Sequence, residues 1–431
     1  LVAAVIPTGS APHGFSNLIQ DVSRLGSVPP WFSQWRQSQA QVWEDLGLPS
    51  KKLERWKYTS LAALSIAQLR LLTAAEGDVH VDGFEQAGVR LVRLADLFSR
   101  PAQPDEAELV EVFKKSMAYQ PGISPDQSLV ALNAALLQDA ILIDIAPKTI
   151  VAEPLTIHVR AHGFTDGEVI SVFNTRVFVR IGQESEVTIA EIFDGASANL
   201  FRNSTTFFDL SKGSKVRHLR VQSDTTTATS ISDFNAMIAS DARLETTQVS
   251  LGGKTARETQ KFELLGRGAE VKLDGLSILQ GKQHIDHSTS VEHVVGHTTS
   301  EQLYKHILSG HSRAVFNGRV WIKRDAQKSM ASQLNHSLSL SKNAEIDTKP
   351  ELEIDADDVK ASHGATVAQL DPEHLFYLRA RAISEREGRH MLAKGFAFDI
   401  ALRMSDPRLR DMAAPYIERK LVAMQLESNP S

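Results

Sequence analysis

Hydrophobic positions change their period twice along this chain. Up to about residue 125 they recur at helical spacing. Pro29 and Pro30 precede a segment in which Trp31, Trp35, Val42, Trp43 and Leu46 fall roughly on one face, and Gly47 followed by Pro49 supplies the stop. A second aromatic cluster, Glu54-Arg55-Trp56-Lys57-Tyr58-Thr59, comes shortly after. Both read as parts of a packed helical core. Residues 101–108 are rich in proline and acid and read as a surface linker.

From about 129 to 370 the helical period disappears. Ile141, Ile143 and Ile145 alternate with Leu142, Asp144 and Ala146, and Thr, Val, Ile and Ser dominate. A short unit then recurs: a turn-like residue, Ser or Ala, a charge, and an aliphatic residue. It stands as Glu184-Ser185-Glu186-Val187, Gly213-Ser214-Lys215-Val216, Asp241-Ala242-Arg243-Leu244 and Gly268-Ala269-Glu270-Val271, and again as Asn343-Ala344-Glu345-Ile346. The first four copies are 29, 28 and 27 residues apart. A period this regular predicts stacked rungs that share one core, because a single rung cannot bury its own apolar face. An irregular parallel β-helix fits it better than a large sandwich.

The last sixty residues return to helix. Asp371-Pro372 caps a first helix carrying Leu375, Phe376 and Leu378. Ser384 and Glu387 form a capping box before a second, with Met391, Leu392, Phe396 and Ile400. Asp406-Pro407 opens a third, with Leu409, Met412, Tyr416, Ile417 and Leu421. So brief a segment cannot bury all of this apolar surface. The β region is expected to cover part of it, and a partner the rest. The chain therefore divides into a helical N-terminal region with a linker (1–125), a β core (126–370) and a helical C-terminal domain (371–431).

Composition narrows the function. Of 431 residues 42% are hydrophobic, enough for a large core. Net charge is −5 with both signs mixed, and no basic stripe of the nucleic-acid-binding kind appears. No apolar run approaches the length of a membrane span. Residues 1–6 are apolar, but without a preceding basic residue they make a poor signal peptide, so a cytoplasmic location is expected, or an organelle matrix if a transit peptide was removed. There is no cysteine, hence no disulfide and no thiolate site within the chain. P-loop, GxGxxG, GxSxG and HExxH signatures are missing too.

Two groups of histidines remain. His284, His287, His293, His297, His306 and His311 crowd one stretch. On strands, however, residues three or four apart do not converge, so they read as imidazoles hydrogen-bonded along rung faces. His363 stands alone in Ala361-Ser362-His363-Gly364, at the end of the β region, and reads as a turn histidine that Ser362 and Thr366 could orient.

Several ordered motifs give this stretch a context. They are QHIDHSTSVEH from Gln283, SRAVFNGRV from Ser312, DTKPELEIDADDVKASHGATV from Asp347 and LFYLRARAIS from Leu375, with weaker ERWKYTS from Glu54 and ALNAALLQDAILI from Ala131. Together they resemble the SufB/SufD family of iron–sulfur cluster assembly proteins, and its SufD branch most. The resemblance is strong over about 283–400 and weak in the first hundred residues. It implies a right-handed parallel β-helix flanked by helices and a non-enzymatic scaffold role. It implies pairing with a SufB-like protein through the β-helix and docking of a SufC-like ATPase on the C-terminal helices, where Phe376, Tyr377, Arg379, Met391 and Phe396 are the candidate contacts. A homodimer is conceivable when the chain is alone; nucleic acid and membrane are not expected partners.

The resemblance also places the nascent cluster at the subunit interface, with His363 as the ligand to cluster or iron from this side and a cysteine from the SufB side. No cofactor is expected to stay on the isolated chain; an iron–sulfur cluster is held transiently in the complex. Many relatives have cysteine where this chain has Ala361, so any thiolate here must come from the partner. The alternative from another class is a β-helix carbohydrate-active enzyme using groove carboxylates such as Asp274 and Asp286.

Overall fold

The computed structural model describes residues 13–24, 28–73, 75–99, 107–118, 128–162, 169–195 and 199–424. From Asp139 onward, successive strands alternate between two sheets, and neighbours within each sheet run parallel. The fold is a parallel β-helix. Its first sheet ends on the strand Glu345–Ile354 and its second on the strand Lys360–Ala368.

The repeated unit explains the coil. Val187, Val216, Leu244 and Val271 are direct ladder partners in the second sheet. Three residues before each stands the corner: Glu184, Gly213, Asp241 and Gly268, all left-handed with φ of 56°, 69°, 58° and 74°. The turn-like residue is thus the one that bends the chain into the next strand. The column continues through Ser300, Ala331 and Ala361. The fifth copy differs: Ile346 pairs with Ala314 in the first sheet, so that match belongs to another corner.

The bore is apolar in its first turns, with Val179, Val187, Phe208, Leu244 and Phe262 inside. A buried ionic cluster interrupts it. Arg220 lies 3.1 Å from Glu191 and 3.8 Å from Glu258, with its guanidinium 4.0 Å from the centre of the Phe193 ring. Burial pushes the Glu191 carboxyl up, but Arg220, His218 and Thr206 more than offset it, and it sits below its ordinary value. At Glu258 burial wins and the carboxyl sits above it. Truncating the shared cation strands both carboxylates. Arg220→Ala should therefore cost about 3–5 kcal/mol, read as a lowered guanidinium midpoint. A midpoint like that of the wild type would show that the cluster carries no stability.

Helices cover the outer faces. Trp43 and Trp56 from the N-terminal region, with Leu132 of the helix Ser128–Ala135, pack on Val172, Phe201 and Ile231 of the first sheet. That region is not wholly helical. Gln68–Leu71, Gly77–Asp82 and Val89–Arg93 are strands, and the last two pair antiparallel with Leu155–Ala161 and Asp139–Ile145. They end both sheets at the start of the coil. The linker reading falls largely outside the described residues, as do residues 1–6.

Three C-terminal helices follow the coil: Pro372–Arg379, Glu385–Leu402 and Pro407–Ala423. The second and third set Ala397, Ile400, Leu409, Ile417 and Leu421 on Leu219, Val249, Leu276 and Leu303 of the second sheet. Asp406 caps the third and accepts a hydrogen bond from Thr188 at 2.8 Å, tying the helix to a rung. No helix among the described residues is long and apolar enough to cross a membrane.

Candidate functional site

Among the described residues the coil is ended by antiparallel strands at its start but open at its finish. Lys360 N–H donates back to Ser329 O at 3.0 Å. In a parallel ladder alternate residues face alternate neighbours. The peptide groups of Lys360, Ser362, Gly364 and Thr366 therefore face the preceding rung, and those of Ala361, His363, Ala365 and Val367 face outward. By the same logic Glu345 N–H, which donates to Ser312 O at 3.0 Å, leaves Ile346, Thr348, Pro350 and Leu352 facing outward in the first sheet. Pro350 has no N–H to offer, and the charged Lys349, Glu351 and Glu353 flank this edge. The edge at Lys360–Ala368 carries small side chains and keeps its donors.

His363 stands at the middle of that edge. It is a strand residue, not a turn residue, and Gly364 beside it has no left-handed backbone. Its register partner is Gln333, which lies over Gln302 on the inner face of the coil. The imidazole is exposed, and no rung follows it among the described residues. Gln333 beneath it is fully buried, and neither amide atom has a hydrogen-bond partner. Gly318 makes this possible: a Cβ there would lie 1.8 Å from Gln333 Nε2.

The last rungs differ from the first in their polar filling. Tyr304 Oη donates to Gln260 Oε1 at 2.8 Å, and Thr289 Oγ1 to Gln302 Oε1 at 2.9 Å. His287 bonds Ser277 Oγ at 2.8 Å, and its ring centre is 5.7 Å from that of His306. Burial lowers His306 to about 4 and His287 well below its ordinary value, so both imidazoles are neutral. Gln302, Gln333 and Tyr304 carried no signal in the sequence; only the register shows that Gln302 and Gln333 face inward under His363 and Tyr304 in the neighbouring column under Ala365.

Of the other histidines, His284 and His293 follow the rung-face reading, whereas His297 and His311 stand exposed in turns between strands. His284 bonds Thr59 Oγ1 at 2.9 Å, and His293 bonds Thr298 at 2.7 Å and Ser300 at 2.9 Å. His306 departs from it too: it is buried on a strand, and neither nitrogen has a partner among the described residues. No group of three His, Asp or Glu side chains converges as a metal site among the described residues. The Thr59 contact also joins two motifs. Thr59 Oγ1 donates to Asp286, Arg257 pairs with Asp286, and the Arg257 guanidinium lies 4.1 Å over the Trp56 ring.

Asp286 is thus locked against the N-terminal segment. Asp274 is locked on the opposite sheet by Arg403 at 2.9 Å and Lys272 at 3.4 Å. Both are buried, each in its own ion pair, and they do not converge as the enzyme reading required.

The first C-terminal helix buries none of its residues. Phe376 is 74% exposed, Tyr377 55% and Met391 51%. The Arg381 guanidinium lies 3.6 Å over the Tyr377 ring, and Arg379 is exposed on the same helix. Phe396 is half-buried on the coil side, with Lys305 Nζ 4.3 Å from its ring centre.

Sequence comparison agrees with this architecture. The family model described as SUF system FeS cluster assembly, SufBD core domain, matches residues 164–396, and the chain belongs to that family. Among its relatives is the iron–sulfur cluster assembly protein SufD of Escherichia coli, 28% identical over 87% of this chain and 90% of the relative. A SufBD family protein of Synechocystis is 30% identical over 85% and 86%. A chloroplastic protein of Arabidopsis thaliana, ABCI-type by name, is 31% identical over 59% of this chain and 54% of its own length.

Proposed function

We propose that this chain is a SufD-type scaffold subunit without catalytic activity of its own. It pairs end to end with a SufB-type β-helix through its open last rung and presents His363 to iron at the junction. The supporting observation is the exposed nine-residue edge Lys360–Ala368, with unpaired outward peptide groups and an imidazole at its centre. A long open edge of this kind is completed by another strand. The nascent cluster is cargo, and its thiolate comes from the partner.

This predicts that the isolated chain takes up no stoichiometric cluster on reconstitution with iron and sulfide. One imidazole without thiolate is a weak anchor for cluster iron. Optical and Mössbauer spectra read the outcome, and a stoichiometric cluster on the chain alone would overturn it.

The C-terminal helices dock a SufC-type ATPase in this reading, through Phe376, Tyr377, Arg379 and Met391. Phe396 supports that surface from the coil side. Removing the helices beyond Asp371 would also uncover Leu276 and Leu303, so point changes test the docking more cleanly. Phe376→Ser with Met391→Ser should leave the melting temperature within a few degrees and cut ATPase capture about tenfold or more. Capture at the wild-type level would refute this surface.

A further inference from the structure

At one edge of the coil, the corners that lead from the second sheet to the first stack into a wall. Together with Arg389 and the end of the helix Pro407–Ala423 they enclose a cleft of about 940 Å³. Its cationic side chains are Lys254, Lys282, Lys342 and Arg389, with the His311 imidazole beside them, and no Asp or Glu among the described residues lines it. Rungs stack about 4.8 Å apart, so Lys254, Lys282 and Lys342, on the first, second and fourth of successive corners, span roughly 15 Å.

The lysines among them lack counterions. Among the described residues none of the three lysines is in an ion pair, whereas Arg389 pairs with Glu385 at 3.1 Å. Beside the cleft, the only partner of Lys420 Nζ among the described residues is a neutral group, Gln283 Oε1, at 2.7 Å. Gln283 lines the cleft, is buried, and is held by donation to Gly253 O at 2.8 Å, so its oxygen is fixed on the ammonium. Burial alone lowers Lys420 to about 8. A desolvated ammonium with no carboxylate is costly unless an anion completes it.

The backbone opens there too. Gly281 is left-handed with φ 61°, and nothing lies within 4 Å of where its Cβ would stand. Gly310 on the next corner, with φ 66°, would bring a Cβ 3.0 Å from Gly281 N. A larger residue at either corner would be strained, and at Gly310 it would also crowd the neighbouring peptide.

The lining also says what does not bind. Among the described residues it offers no Phe, Tyr or Trp ring on which a base could stack, and its large apolar contribution is Leu340 alone. We propose that this cleft binds a small, multiply charged phosphate-class anion, held by Lys420 and Arg389 at the helix side and by the corner lysines along the wall. The inference stands apart from the subunit pairing at the open end, since neither Lys360–Ala368 nor His363 lines the cleft.

Titration calorimetry on the full chain at fixed ionic strength tests it, with pyrophosphate as probe and acetate as control. Expected is saturable one-to-one binding of pyrophosphate that acetate does not reproduce. Lys254→Ala with Lys282→Ala, two exposed changes, should weaken it about tenfold or more, as should Lys420→Met, while Lys212→Ala on another corner leaves it unchanged. A circular-dichroism melt of each variant confirms that it is folded; the exposed pair carries the test if Lys420→Met is not. Absence of saturation at millimolar pyrophosphate would overturn the proposal. So would equal weakening by Lys212→Ala, or binding of an acidic peptide where pyrophosphate fails.

Discussion

Proline at Ala365 should leave the chain folded and abolish its pairing with a second β-helix. Ala365 lies in the last strand, exposed, with its peptide N–H directed away from the coil. Removing that N–H breaks no bond inside the chain, and proline is tolerated on edge strands for this reason. The melting temperature should move by only a few degrees. A partner strand laid along Lys360–Ala368 loses a donor and meets the proline ring. Co-expression with a SufB-type protein followed by size-exclusion chromatography reads the result. Gly364→Pro is the informative contrast: it removes an N–H that faces the preceding rung, so it should lower stability as well as pairing. If Ala365→Pro assembles at wild-type yield, the edge is not the interface.

The rungs could be read from the sequence because each turn of the coil needs one residue able to bend left-handed and one aliphatic residue just inside the next strand. Glu184, Gly213, Asp241 and Gly268 meet the first need, and Val187, Val216, Leu244 and Val271 the second. The caps at Asp371, Ser384 and Asp406 were legible for a similar reason, since each acts on its own neighbours. Where the outcome depends on distant partners, the pattern misled or was silent. Val79 and Val81 alternate as strand residues do, but the surrounding helical periodicity hid them, and only pairing with Leu155–Ala161 fixes them as strand. Ala361 to Gly364 is rich in small residues and looked like a turn; stacking on Met330–Ser339 draws it into the ladder instead. Gly318 and Gln333 are fifteen positions apart, and nothing local tells that one is absent to admit the other. The basic cleft is built from corners about thirty residues apart and has no local signature at all.

His363→Ala should all but remove iron and sulfide from the assembled complex without disturbing the subunits. The side chain is exposed at the last rung, so its loss leaves no cavity and should cost about half a kcal/mol or less. Nor does alanine touch the outward peptide groups that pair with the partner. In the proposed assembly it removes a nitrogen ligand at the centre of the junction, and loss of such a group lowers metal retention by about tenfold or more. Ser362 and Thr366 cannot replace it, because in a strand they point to the opposite face. The decisive measurement is iron and acid-labile sulfide per mole of purified complex, compared between wild type and His363→Ala at equal recovery of the partner subunits. The expected result is unchanged assembly with cluster content reduced to about a tenth or less. Wild-type cluster content in an intact His363→Ala complex would contradict the assignment of the open end as the place where the cluster is held.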